Sequence, residues 1–184
     1  VCSSDLNHKK QRSTWLNDQL NMARGQKHFD YLLARKVEYD AAGQTFYSEM
    51  SRETFWGQAL KSPDQLRQRV AFALSEVVVV SENGGSNDPF ELAAYLDLLA
   101  DNSFGNFRDI LYKVSLSPAM GRYLSHLRNR KEDPATGRMP DENFARELMQ
   151  LFTNGLLELD LDGTPRRVNG QPVETYTQED VSQL

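Results

Sequence analysis

Pro140-Asp-Glu-Asn-Phe-Ala-Arg-Glu-Leu-Met-Gln-Leu-Phe-Thr-Asn-Gly155 decides the fold, because it reads as a helix with both ends written in. Asp141 is a good N-cap, able to accept from the exposed amides of a first turn. Glu142 sits where the positive end of the helix dipole favours an anion. Asn154-Gly155 supplies a left-handed stop. Phe144, Leu148, Leu151 and Phe152 fall at i, i+4, i+7 and i+8, which predicts one apolar stripe. The remaining positions carry Glu142, Asn143, Arg146, Glu147 and Gln150, a dense set of groups able to interlock.

The chain on either side repeats this grammar. Ser13 is placed to cap a short helix through Trp15, Leu16, Leu20 and Ala23, with Gly25 as its stop, after a frayed polar segment 7–13. Phe29–Tyr39 and Ser51–Leu60 read as further helices, with Thr45–Met50 extended between them. Ser62-Pro63-Asp64-Gln65 predicts a capping box with proline at the first helical position. The helix it opens is expected to run through Val77-Val-Val-Val80 as its buried end, since the apolar period begins three turns earlier. Asp88-Pro89 and Asn106 start two more helices, and Ser117-Pro118 a short one ending near Leu124. Residues 125–140 form a polar loop. After Gly155 the period changes to two, with Leu157, Leu159 and Leu161 alternating with Glu158, Asp160 and Asp162. Asp162-Gly163 and Asn169-Gly170 are turn dipeptides. A small β-ribbon or ordered loop is therefore expected over 156–176, as the most mobile internal segment. Thr177-Gln-Glu-Asp180 then caps a last helix. The expected class is all-α, a multi-helix domain with one small β excursion near the C-terminus.

Composition narrows the function classes. At 184 residues, 39% hydrophobic and 26% charged, the chain has the make-up of a globular domain. Its net charge of −5 gives no global basic field for nucleic acid. No apolar run approaches the ~20 residues of a membrane span. The opening Val1-Cys-Ser-Ser-Asp-Leu6 is encoded by GTG TGC TCT TCC GAT CTN, which matches the end of a common sequencing adapter. Residues 1–6 are accordingly expected to be an adapter artefact on a metagenomic assembly, and residues 7–184 part of one larger helical domain. Without Cys2 the chain has no cysteine, hence no disulfide, thiolate metal site or cysteine nucleophile.

Three blocks carry a family resemblance: Asp64-Gln-Leu-Arg-Gln-Arg-Val-Ala-Phe-Ala-Leu-Ser-Glu76, Asp141-Glu-Asn-Phe-Ala-Arg-Glu-Leu-Met-Gln-Leu-Phe-Thr153 and Tyr176-Thr-Gln-Glu-Asp-Val181. With Ser117-Pro-Ala-Met-Gly121 between them, the chain resembles the bacterial family catalogued as domain of unknown function 1800 over most of residues 14–184. The family's loop after the central helix is short and glycine-rich; residues 156–175 here are longer, as in a subgroup. The resemblance implies a largely helical, longer protein, commonly exported to the periplasm or cell surface. It also implies an exported sulfatase-like protein from a neighbouring gene as partner. It implies no settled reaction.

Three constellations are candidate sites. Glu142, Asn143, Arg146 and Glu147 form two i, i+4 pairs, suited to acid–base work or cation binding if a cleft covers them. The plainer reading is a polar network fastening this helix to the one bearing Arg67, Arg69 and Glu76. Glu158, Asp160 and Asp162, followed by Gly163, have the oxygen spacing of half a calcium loop. The twelfth position is Asn169 rather than a bidentate Glu, and Arg166 and Arg167 intrude, so a strand ending in a turn accounts for them better. Arg122, Arg128, Arg130, Lys131 and Arg138 gather around His126 and suit a polyanion such as an acidic or sulfated glycan; a solvated loop balanced by Glu132 and Asp133 is the simpler account. His8, His28 and His126 lack ligand spacing. There is no Gly-x-Ser-x-Gly elbow and no phosphate-binding glycine loop, so no cofactor is expected. Two functions follow: a scaffold-like or partner-binding exported domain, or an exported hydrolase of surface polymers using carboxylates of the 141–153 helix.

Overall fold

The computed structural model describes residues 3–47, 49–83 and 88–184, with side chains from residue 11 onward. The adapter reading of 1–6 therefore rests on positions outside the described side chains. The chain forms two compact units, residues 1–119 and 120–184.

The first unit holds α1 (Ser3–Asn21), α2 (His28–Ala41), α3 (Met50–Lys61), α4 (Gln65–Val77), α5 (Pro89–Asp101) and α6 (Phe107–Ser115). Helix α5 is its centre, packed by α2, α3, α4 and α6. The sequence explains this role: Leu92, Ala93, Tyr95, Leu99 and Ala100 are all buried and form a broad apolar arc that several neighbours can cover, leaving Ala94 and Asp101 exposed on the opposite side. Asp88 accepts from Phe90 N at 2.9 Å, with Pro89 in the first turn, and Asn106 accepts from Arg108 N at 2.8 Å, so both caps form where the sequence places them.

Elsewhere the local signals yield to tertiary ones. Helix α1 begins well before Ser13, so Ser13 lies inside a helix rather than capping one, and segment 7–13 is helical. The extended piece expected over Thr45–Met50 does not run that far: Thr45–Tyr47 lies outside regular structure, residue 48 lies outside the described residues, Glu49 has helical φ/ψ (−61°, −11°), and Met50 already opens α3. Ser62 terminates α3, and α4 starts only at Gln65, with Asp64 at the N-cap position. The capping box read from Ser62 is thus replaced by a tight turn, in which Gln65 Nε2 donates to Ser62 O at 2.7 Å. Helix α4 stops at Val77 rather than Val80. Val78 leaves the helix at φ −98°, ψ 72° and is fully buried, while Val79 and Val80 are neither helix nor strand. β-branched residues crowd the preceding helical turn, so a run of them fails to propagate it once a burial site is available off-axis.

The second unit holds the end of α7 (Pro118–Tyr123), α8 (Asn143–Glu147), a π-helical segment (Leu148–Thr153), strands β1 (Arg167–Val168) and β2 (Gln171–Pro172), and α9 (Gln178–Gln183). The central stretch is helical as read, but not as one α-helix. Its last six residues widen to i→i+5 bonding, with Asn154 N and Gly155 N both donating to Met149 O at 3.0 Å. The expected stripe is broken by that widening: Phe152 is buried, but Leu151 is 62% exposed. The β excursion forms as read. β1 and β2 pair antiparallel through Asn169-Gly170, both at positive φ (51° and 81°), the primed turn that suits a hairpin. Leu157↔Glu174 and Leu159↔Pro165 are bridges at its base. At Thr177 the capping box is complete, with Thr177 and Asp180 bonded reciprocally.

Candidate functional site

The central stretch positions one polar cluster. Asp141 Oδ1 accepts from Asn143 N at 2.9 Å, but α8 begins at Asn143, so the N-cap position falls on Glu142 and not on Asp141 as the sequence suggests. One turn on, Arg146 Nη2 meets Glu142 Oε2 at 2.9 Å. Helix α9 supplies the rest. Gln178 Nε2 donates to Glu142 Oε2 and Ser182 Oγ to Glu142 Oε1, each at 2.8 Å. Arg146 also donates to Gln178 Oε1 at 3.3 Å. The hydrogen bonds from Gln178 and Ser182, with the Arg146 cation behind them, hold the Glu142 carboxyl below its usual range. A carboxylate so held is ionised at neutral pH. It can orient or attract a cation, and it is a poor proton donor.

The predicted constellation is thus brought together only in part. Glu142 and Arg146 pair as expected. No side-chain hydrogen bond joins Asn143 to Glu147 among the described residues. Gln178 and Ser182 were missed, although their i, i+4 spacing behind a well-capped start was a usable signal. Arg67 has its partners within the first unit: Asp64 at 3.4 Å, the carbonyls of Met22 and Ala100, and the ring of Phe104.

The half-loop residues do not converge. Glu158 pairs with Arg166 at 2.9 Å, and Asp162 Oδ1 accepts from Thr164 N and Oγ1, closing its own turn and lowering its pKa. Among the described residues no group of three or more His, Cys, Asp or Glu is placed to hold a metal ion. Of the basic set, Arg138 binds the Lys131 carbonyl and lies near Asp133, while His126 stacks on Phe144 with centroids 4.0 Å apart.

A second polar assembly, unforeseen from sequence, lies in the core of the first unit, where buried side chains of one helix satisfy the ends of another. Asp97 of α5, 7% exposed, accepts from His28 N at 2.8 Å and Phe29 N at 3.0 Å, and so caps α2. Arg24 closes the same carboxylate. Gln19 of α1 accepts from Leu66 N at 2.9 Å, capping α4, and donates to Pro63 O. Fully buried Asp64 accepts from Gly25 N, Ser62 Oγ and Gln68 Nε2. Gly25 comes so close that a Cβ there would overlap Ser62. His28 Nδ1 lies 3.1 Å from Thr54 Oγ1, and burial pushes its pKa below 6.5 against the opposing pull of Asp97. Tyr95 is raised by burial, its hydroxyl on Val78 O. These groups close helix ends, and the arrangement is architectural. Asp97, the one charged residue in the apolar run Leu92–Ala100, was the signal that could have revealed it.

No curated protein and no solved structure matches the chain. A family model does, over residues 4–184, in keeping with the three blocks whose helices are now placed. The chain belongs to the family described as Protein of unknown function (DUF1800).

Proposed function

We propose that the chain is a non-enzymatic, partner-binding helical module that works outside the cytoplasm, alongside a sulfatase-like protein such as the family resemblance implies. The observation that carries the reading is an uncovered aromatic face on the first unit. Trp56, Leu60 and Phe72 are 59%, 70% and 43% exposed, and Phe55 packs between the two aromatics, with centroids 5.1 and 5.8 Å away. Large apolar groups gathered on a surface mark interaction sites, and aromatic residues supply most of the binding energy at such sites. The polar residues support the same reading: the buried ones close helix ends, and Glu142 is bonded to a cation, an amide and a hydroxyl rather than to a second acid.

The test uses the full-length parent and the protein encoded beside it. Trp56→Ser should weaken their association by at least tenfold, about 1.4 kcal/mol, at an unchanged melting temperature. If Trp56→Ser binds as the parent does while Glu142→Gln abolishes turnover of a surface polymer, the alternative hydrolase reading replaces this one.

A further inference from the structure

We propose that the loop 125–140 of the second unit is a binding surface for an acidic polysaccharide, with Arg128, Arg130 and Lys131 as its cations. The inference is independent of the aromatic face above.

The loop is built, not merely solvated. Leu127 N donates to Gly121 O at 2.8 Å and Asn129 N to His126 O at 3.0 Å. The Asn129 side chain clamps the two ends together: its Nδ2 donates to Asp141 O at 2.8 Å and its Oδ1 accepts from Asp141 N at 2.9 Å. Asp133 N and Arg138 N close the inner turn with each other's carbonyls, and Arg138 Nε fastens the Lys131 carbonyl. All of this ordering is done by Asn129, Asp133 and Arg138, and by His126 stacked on Phe144. The side chains of Arg128, Arg130 and Lys131 take no part in it.

Those three side chains are exposed, and among the described residues none of them makes a hydrogen bond or ion pair, in a chain with 26 acidic residues against 21 basic ones. Glu132 is the single acid among residues 128–132, so the stretch keeps a net positive charge. Arg128 also holds φ 69°, a conformation that glycine or asparagine adopts more readily. A costly backbone that retains an arginine with no intramolecular role is a reason to ask what the arginine meets outside the chain. Beside it, Arg130 and Lys131 border an open groove of ≈ 490 Å³. Asn129, Ser182 and Gln183, each also bonded within the chain, line that groove with amide and hydroxyl groups, and Met139 and Pro140 line it with apolar ones. Glu132 and Glu142 border it as well, so the net positive charge lies with residues 128–132 and not with the groove as a whole. Three unpaired cations on an ordered loop, with amide, hydroxyl and apolar groups beside them, match a sugar polymer carrying sulfates or carboxylates. An acidic peptide is the competing occupant, and poly-glutamate stands for it in the test.

The test is affinity electrophoresis of the 184-residue chain in gels containing dextran sulfate, polygalacturonate, neutral dextran or poly-glutamate. Retardation by dextran sulfate or by polygalacturonate, relieved by salt and absent in neutral dextran, is the expected result; which polymer retards more assigns sulfate or carboxylate. The variant Arg128→Asn, Arg130→Gln, Lys131→Gln should migrate freely at the parent's melting temperature; asparagine keeps the left-handed position. Should that variant melt lower, Arg130→Gln with Lys131→Gln, which leaves the strained position alone, carries the same expectation. Unaltered retardation of a folded variant, or no retardation by either polysaccharide, overturns the site. Equal retardation by poly-glutamate overturns the polysaccharide assignment in favour of charge alone.

Discussion

Asp97→Ala should be the most damaging single polar substitution in the first unit. Its carboxylate is 7% exposed and holds three things at once: two amides of the α2 N-terminus, at 2.8 and 3.0 Å, and the Arg24 guanidinium. Loss of a cap costs about 0.5–2 kcal/mol. Breaking a buried pair from one side costs about 3–5 kcal/mol. The two do not simply add, because Arg24 is not stranded: its other nitrogen bonds Asp101, a half-exposed carboxylate. A loss of about 3–5 kcal/mol is therefore expected, a large share of a typical domain's ~5–15 kcal/mol. At roughly 2–4 °C per kcal/mol for a chain of this size, the melting temperature should fall by about 10 °C. Asp97→Asn keeps one acceptor and loses the charge, so it should fall about half as far. Asp101→Ala removes only an exposed partner and should cost less than about 1 kcal/mol. Urea unfolding of the three variants measures all of this. If Asp97→Ala unfolds within about 1 kcal/mol of the parent, below the range expected for a broken buried pair, the claim that α5 caps α2 is wrong.

Acidification should destabilise the first unit through His28. Its folded value lies below 6.5, so the unfolded chain takes up the proton first. The contribution is present above pH 6.5 and is lost as pH falls toward the folded value; His28→Asn should flatten that part of the stability profile, and an unchanged slope would dismiss it. Glu142 is also lowered, so its contribution is present above its ordinary value of 4.5 and fades as pH drops further. Arg146→Met should lower the melting temperature little, since the two side chains are 43% and 26% exposed; a large drop would mean that the pair fastens the helix more firmly than an exposed ion pair does. In the π-helical segment, Phe152→Ala should cost about 3–5 kcal/mol, while Leu151→Ser should be nearly neutral; equal costs would mean the stripe is α-helical after all. Amide exchange should be fastest over 156–176, where Leu159 and Leu161 are uncovered and neither strand exceeds two residues; protection matching α5 would contradict this.

What was legible in the sequence was everything local. Asp88, Asn106 and Thr177 cap their own helices within three residues, and Asn169-Gly170 turns its own hairpin, so the pattern contains both partners of each interaction. The Glu142–Arg146 pair was legible for the same reason. What was not legible has one partner far along the chain. The start of α4 is set by Gln19, forty-seven residues before Leu66, and by Asp64 facing Gly25. With those acceptors and donors in place, Ser62 is freed from capping and ends α3 instead.

The π-helical segment follows a related logic. Thr153 Oγ1 returns to Leu148 O at 2.8 Å, and Asn154 and Gly155 share the Met149 carbonyl, so the wide turn is satisfied by its own last residues. Periodicity reads side chains and assumes one rise per turn; it is blind to a change in the hydrogen-bond ladder. The widening moves Leu151 outward and keeps Phe152 buried, although a 3.6-residue stripe puts both inside. π-Bulges occur mostly as single turns and often at functional sites. Here the wide turn directly follows Arg146 and Glu147, one turn after Glu142. Of the five polar residues that sequence alone marks, Glu142, Asn143, Arg146 and Glu147 thus precede the place where this helix abandons its regular ladder, and Gln150 lies within it.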